Sequence, residues 1–259
     1  SKMKSERRMN TPKKTILLLC CFASGTLLSG CMTGGAAFGL GAGAVHETET
    51  VEKDPNQPPP VYGPPQIIYR IDSDRYFTLE NYVSCEKGET FYNNKKKDIH
   101  VKISPASGYL FKGRLYWVSS RDDYLAFPTT KNTEAAACMG SDKGCKNVIT
   151  ITTDGGKTLN ATTYGIYSQD PTGITKDYDM LVTNSGFYII DFSGESRSDD
   201  MASTWKWTFD PDEESTKKYG YPGATGPDSQ DGLPMNDISK VKQVRMQCDK
   251  SLIPQQKLN

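Results

Sequence analysis

The residues of this chain that could do chemistry are a set of neighbouring carboxylates, two histidines and seven cysteines. Asp122 and Asp123, Asp177 and Asp179, Asp199 and Asp200, and Asp210 and Asp212 could each supply an acid and a base, as glycoside hydrolysis requires. A serine or cysteine nucleophile needs a histidine base, and only His46 and His100 are present. His46 lies in a stretch too rich in Gly and Pro to hold a site. His100 ends a polar run and reads as a surface or strand histidine, and no G-x-S-x-G elbow accompanies it. The cysteines have no C-x-x-C spacing and few histidines to join them, so no metal site is expected. No Gly-rich loop opening a helix offers a phosphate cradle. Paired aspartates between strands are ordinarily solvated turns, so the chain reads as no enzyme and needs no cofactor, with hydrolysis of glycosides as the least favoured alternative.

The cysteines say more than the carboxylates, and their neighbours say which chemistry each serves. Lys13 and Lys14, with Arg7 and Arg8 upstream, precede an apolar stretch over residues 16–28. That stretch is too short to span a bilayer and has the form of a signal peptide. Residues before Met9 add nothing such a signal needs, so translation is expected to begin there. Leu28-Ser29-Gly30-Cys31 resembles the lipobox of bacterial lipoproteins. The resemblance implies a diacylglyceryl group on the Cys31 thiol and cleavage before it. Two or three acyl chains anchor stably where one does not. Met32, rather than Asp, follows the cysteine, which implies by the same resemblance the outer membrane, on the periplasmic face.

Removing residues 1–30 as a signal leaves 25 basic and 30 acidic residues. That mild acidity argues against nucleic acid as a partner. Residues 31–65 read as the lipidated cysteine and a tether. Gly and Ala dominate residues 34–44, and Pro55, Pro58, Pro59, Pro60, Pro64 and Pro65 stiffen the stretch before the domain. Residues 66–259 are long enough for one domain with a full core. Cys85, Cys138, Cys145 and Cys248 remain for it, an even number in an oxidising compartment. Three pairings are possible. Cys138 with Cys145 across a short loop, and Cys85 with Cys248 from the domain's start to its end, are the expected ones.

Strand signals dominate that domain. Aromatic and β-branched residues fill 114–118, 148–153, 162–167, 180–183, 186–192 and 204–209, with Gly, Asn, Asp and Pro clusters between them. The clearest hairpin turns at Asn184-Ser185-Gly186. Residues 238–244 could form a short helix, and Val244, Met246 and Cys248 equally an alternating strand. Thr152-Thr153-Asp154-Gly155-Gly156-Lys157-Thr158-Leu159 resembles the Asp-box of sialidases and related β-propellers, with Leu159 in place of the aromatic. A degenerate copy runs over residues 198–205, its Asp200 lying 46 positions after Asp154, close to one blade repeat. Tyr69-Arg70-Ile71-Asp72 is also similar to the sialidase Phe-Arg-Ile-Pro, with Asp in place of Pro. In such a box Asp154, Gly156 and Thr158 fold a turn and do no catalysis. The expected fold is mainly β, with antiparallel sheets in an incomplete-propeller or sandwich-like single domain with little helix.

Lipobox, Pro-rich tether, a single β-rich domain with four cysteines and the strands of residues 114–209 together resemble the periplasmic immunity lipoproteins that accompany type VI secretion lipase effectors. The resemblance implies a partner, a phospholipase effector, bound and blocked by protein–protein contact. Aromatic and Arg residues usually carry such contacts, and Tyr124, Phe127, Tyr219 and Tyr221 sit in expected loops; acidic residues 210–214 could address a basic patch. The competing reading is an envelope structural or glycan-binding lipoprotein, with Trp117, Trp205 and Trp207 stacked on sugar rings. The anchor is tested by the mass of the envelope-extracted protein. It should be that of a chain beginning at Cys31 plus its acyl groups, and Cys31→Ser should remain unprocessed. A mature chain without acyl mass removes the anchor.

Overall fold

Alternation of side chains builds the first sheet. In β2 (Arg75–Ser84), Phe77 and Leu79 are fully buried while Tyr76 and Glu80, one residue out of phase, stay partly open. In a computed structural model, which describes residues 54–129, 138–194, 202–232 and 241–257, β2 sits inside a four-stranded antiparallel meander. Its neighbours are β1 (Gln66–Arg70) and β3 (Lys87–Asn94), and β4 (Ile99–Ser104) closes the row. A second sheet has six strands: β5 (Arg114–Trp117), β9 (Tyr178–Val182), β10 (Gly186–Asp191), β11 (Ser203–Asp210), β12 (Gly220–Tyr221) and β13 (Gly223–Gln230). Their spatial order is β12-β13-β11-β10-β9-β5, antiparallel except that β5 runs parallel to β9. The third sheet is β6 (Leu125–Pro128), β7 (Cys145–Thr152) and β8 (Asn160–Ser168), also antiparallel. Among the described residues α-helix is confined to α1 (Gly140–Lys143), α2 (Pro171–Ile174) and α3 (Glu213–Tyr219), with single 3-10 turns at Gly108–Leu110, Thr175–Asp177 and Lys250–Leu252. With 47% strand and 12% helix the domain is mainly β with mixed sheets and no closed barrel.

One core joins the three sheets. Phe77 and Tyr92 come from the first, Trp117 and Phe187 from the second, and Phe127 and Ile151 from the third. The Phe77 ring is the centre of this packing, with Trp117 at 5.7 Å and Phe127 at 5.4 Å, both edge-on. Burial drives the Tyr92 hydroxyl up to about 12, so it stays neutral inside the core.

The strands expected over residues 114–118, 148–153, 162–167, 180–183, 186–192 and 204–209 correspond to β5 and β7 to β11. The hairpin at Asn184 and Ser185 closes with the Thr183 N–H donating to the Gly186 carbonyl at 2.9 Å. A side chain at Gly186 would lie 2.1 Å from the Trp207 carbonyl oxygen, so only glycine fits where β11 passes. The first sheet carries little apolar run in its last two strands, whose outer positions are Glu89, His100 and Lys102, and β13 is built of Gly, Pro and polar residues. These strands are paired by their backbones rather than announced by their side chains. Residues 198–201 of the second Asp-box copy and residues 238–240 of the expected helix lie outside the described residues. The described part of that segment, 241–244, is not helical, and residues 241–248 form neither helix nor strand, so the alternating strand expected at Val244, Met246 and Cys248 is not formed either.

That tail laces the first sheet to the second. The Gln247 N–H donates to the Ile68 carbonyl at 2.8 Å and the Leu115 N–H to the Val244 carbonyl at 2.6 Å. The Gln243 amide accepts from the Arg70 N–H at 2.8 Å and donates to the Ile68 carbonyl at 3.0 Å. Gln66 does the same with the backbone of Asp249, at 2.7 and 3.3 Å. Glutamine amides thus stand in for a neighbouring strand and satisfy the outer edge of β1. Met246 enters the core between them. A disulfide joins Cys85 to Cys248 across 163 residues, and a second joins Cys138 to Cys145. Tying so long a loop restricts the unfolded chain most. Replacing Cys85 and Cys248 by serine should lower stability by about 4–5 kcal/mol, read from the urea midpoint. A loss below about 1 kcal/mol would mean that the tail's hydrogen bonds hold it unaided.

Candidate partner-binding surface

At one end of the molecule the turns of all three sheets meet, and their backbones are bonded to one another. The link begins with Arg75, the first residue of β2, which is only 6% exposed. Its guanidinium donates to the Asp72 carboxylate, to the Ser119 carbonyl and to the Arg121 carbonyl, each at 2.8 Å. The loop from β5 to β6 is thereby fastened to the first sheet. Asn94 at the end of β3 adds a second bond, its amide donating to Asp122 Oδ1 at 2.9 Å. From the second sheet, the Asn184 amide oxygen accepts from the Ser120 N–H at 2.8 Å and from the Ser119 hydroxyl at 3.0 Å. From the third, the Gly155 N–H donates to the Asp123 carbonyl at 2.9 Å.

The turn containing Gly155 is the one singled out by its Thr-Thr-Asp-Gly-Gly-Lys-Thr sequence. The Thr152 hydroxyl donates to Asp154 Oδ1 at 2.8 Å and accepts from the Gly156 N–H at 2.9 Å. The Thr158 N–H donates to Asp154 Oδ1 at 2.8 Å. Gly155 and Gly156 have φ of 74° and 98°, which a side chain would strain. The Asp154 carboxylate folds the turn, and its donors are all the turn's own.

On this crown of loops Asp123 is exposed and Arg121 and Tyr124 are partly exposed. Arg121 grips Asp123 with two bonds of 2.8 Å. Its guanidinium also lies 3.5 Å from the centre of the Tyr124 ring, which in turn packs on Phe209 at 5.7 Å. Tyr124 is half-buried between these two side chains. Rigid aromatic and Arg side chains lose little freedom on binding, which is what an inhibitor surface needs.

The other expected contact residues lie elsewhere. Phe127, expected in a contact loop, is wholly buried in β6, because its place in that strand turns it inward against Phe77 and Tyr92. It cannot touch a partner. Tyr219 ends α3 and Tyr221 lies in β12, but their side chains fall outside the described residues. Cys31 and His46 also lie outside them. Trp117 and Trp207 are 5% and 2% exposed and pack in the core, which leaves Trp205 alone on the surface among the three tryptophans. Sequence reading does not single out Arg75 and Asn94; a lone Arg opening a β-branched and aromatic run is the only signal.

Several of the paired carboxylates are engaged within the fold. Asp123 is held by Arg121, Asp179 by Arg114 with a bond of 2.9 Å, and Asp210 accepts from the Ser215 hydroxyl at 2.6 Å and the Asp212 N–H at 2.9 Å. Both nitrogens of His100 are engaged, Nδ1 with Asn93 Oδ1 at 2.6 Å and Nε2 facing Glu80 at 3.3 Å, so neither is turned to a nucleophile. Among the described residues no three His, Cys, Asp or Glu side chains gather as metal ligands.

The crown's carboxylates set its response to acid. The two bonds from Arg121 hold the Asp123 carboxyl below its ordinary value. Burial pushes the Asp72 and Asp154 carboxyls up, but bonds from Arg75 to the first and from Thr158 and Thr152 to the second outweigh it, and both end lower. A carboxyl lowered by folding contributes stability above its unfolded value, here 3.8, and loses it as pH falls through the folded one. The urea midpoint should therefore drop below about pH 4, and Asp154→Asn should make that drop shallower. An acid limb of unchanged steepness in Asp154→Asn would show that its bonds do not strengthen on folding.

The T6SS Tli3 immunity protein family model matches residues 61–191. The chain matches no curated protein. The matched span takes in the first and third sheets, β5, β9 and β10, and every turn of the crown. With just over half its length matched, the chain belongs to the T6SS Tli3 immunity protein family, and its role is that of a non-enzymatic inhibitor.

Proposed function

We propose that this immunity protein neutralises a phospholipase effector of the type VI secretion system, from a lipid anchor at Cys31 on the periplasmic face of the outer membrane, with the loop crown as its contact surface. The family supplies the general role, a T6SS immunity protein that binds its cognate effector. The lipase character of the target rests on the likeness of the lipobox, tether and β-domain to immunity lipoproteins of lipase effectors. An anchor beside the phospholipids would place the inhibitor where such an enzyme must act.

One observation supports the choice of the crown above the others. Loops from three sheets are fixed to one another by side-chain and backbone bonds, so Arg121 and Tyr124 are presented without the ordering cost that loops normally carry. An inhibitor of this kind needs a surface of about 800 Å² and a few anchoring side chains at its centre. Tyr219 and Tyr221 are proposed as a second contact.

The test is a titration of the detergent-extracted full chain against the product of any lipase-type gene found adjacent to its own, with phospholipase activity followed in parallel. Wild type should bind and abolish hydrolysis. Arg121→Ala with Tyr124→Ala should weaken binding by about 2 kcal/mol or more, with the folded circular dichroism spectrum retained. A lipase that neither binds nor loses activity would refute the phospholipase assignment. Full affinity in the double variant would move the contact surface away from the crown.

A further inference from the structure

Next to the crown, one corner of the first sheet carries positive charge that the fold leaves facing outward. Tyr76 stands on the open face of β2, directly opposite Arg70 in the β1–β2 ladder. The Arg70 guanidinium lies 5.4 Å from the centre of the Tyr76 ring and the Lys95 ammonium 5.5 Å from it. Two cations are thus drawn to one aromatic ring. Their backbones are fixed as well, the Arg70 N–H by Gln243 and the Lys95 N–H by the Asp74 carbonyl at 2.9 Å.

Lys96 and Lys97 continue the same turn and are exposed. The Lys97 N–H donates to Asn94 Oδ1 at 3.1 Å, so the run of lysines is held in one shape by the residue that also binds Asp122 of the crown. Asp72 is paired with Arg75, whereas Asp122, held by the neutral Asn94 amide, Asp74 and Asp98 keep their charges among the four cations. Arg70 and Lys95 meet the Tyr76 ring and, among the described residues, no carboxylate within ion-pair distance. The chain as a whole has a net charge of zero, so this is a local excess rather than a general one.

We infer that the corner formed by Arg70, Tyr76 and the turn of Lys95 to Lys97 docks an acidic segment of the effector; the inference rests on the effector-binding role proposed above. A protein segment fits better than a bilayer for two reasons. The corner is continuous with the crown through Asn94, so an effector seated on Arg121 and Tyr124 brings its own surface alongside. Asp74 and Asp98 break up the positive field, which a flat anionic membrane would meet as repulsion but individual carboxylate side chains can avoid. Such charges act mainly on the rate of encounter and on its salt dependence.

The deciding measurement is the association rate of the full chain with the product of any lipase-type gene found adjacent to its own, at about 0.05 and 0.5 M salt. The variant R70E with K95E should retain its circular dichroism, because only the backbones of these residues are tied into the fold. Its association should slow roughly tenfold at low salt and lose most of its salt dependence, with dissociation little changed. Tyr76→Phe should behave as wild type, and Tyr76→Ala should fall between. If wild type binds and the double variant associates equally fast, the inference fails while the inhibitor role stands. If wild type does not bind the lipase, both fail. If the double variant loses only binding to vesicles of phosphatidylethanolamine and phosphatidylglycerol, the corner serves the membrane and the inference is wrong.

Discussion

A guanidinium withdrawn from water must find its acceptors inside the protein, and at Arg75 that requirement organises the whole molecule. A buried cation without partners would cost several kcal/mol, so Arg75 keeps its place only while Asp72, Ser119 and Arg121 supply oxygens around it. Those oxygens belong to the turn before β2 and to the loop that passes from the second sheet to the third. The charge of one side chain therefore fixes where three sheets meet. The aromatic core at Phe77, two residues along the strand, packs on the same junction from within.

The consequence is a set of loops with the rigidity of strands. Loops are normally the mobile part of a β-domain. Here the β5–β6 loop is bonded to each sheet in turn, through Asn94, Asn184 and Gly155. The Thr152 to Thr158 turn is closed by its own threonines and aspartate, so it offers a fixed backbone to Asp123. At the opposite edge of the first sheet, the tail performs the same service with glutamine amides and a disulfide. An inhibitor that must hold an enzyme by surface contact alone gains from such order, since less freedom is lost when the two proteins meet.

The same pairing of polar groups holds several of the carboxylates and His100 among the described residues. A catalytic acid or base must keep an atom turned to the substrate. Asp123, Asp154, Asp179 and Asp210 instead commit their oxygens to arginines, hydroxyls and amide N–H groups, and His100 lies flat against Phe91 at 4.6 Å with both nitrogens occupied. That arrangement accords with the family's inhibitory role.

Local composition was enough to read some of this protein. The β-branched and aromatic runs of β7, β9, β10 and β11, the turn at Asn184 and Ser185, and the Thr-Thr-Asp-Gly-Gly turn are legible because their signals lie in residues adjacent in the chain. The cysteine count pointed to two disulfides for a related reason, since sulfur chemistry depends on compartment more than on fold. What lay beyond the sequence are the pairings made across distance. The parallel contact of β5 with β9, the tail along β1 and the placing of Phe127 inside rather than outside depend on which faces come together. Arg75 and Asn94 look like ordinary polar residues of a strand's ends. Only when three sheets share one core do their side chains face acceptors from 28 to 46 residues away, because burial, and not sequence neighbourhood, decides which partner a polar group must find.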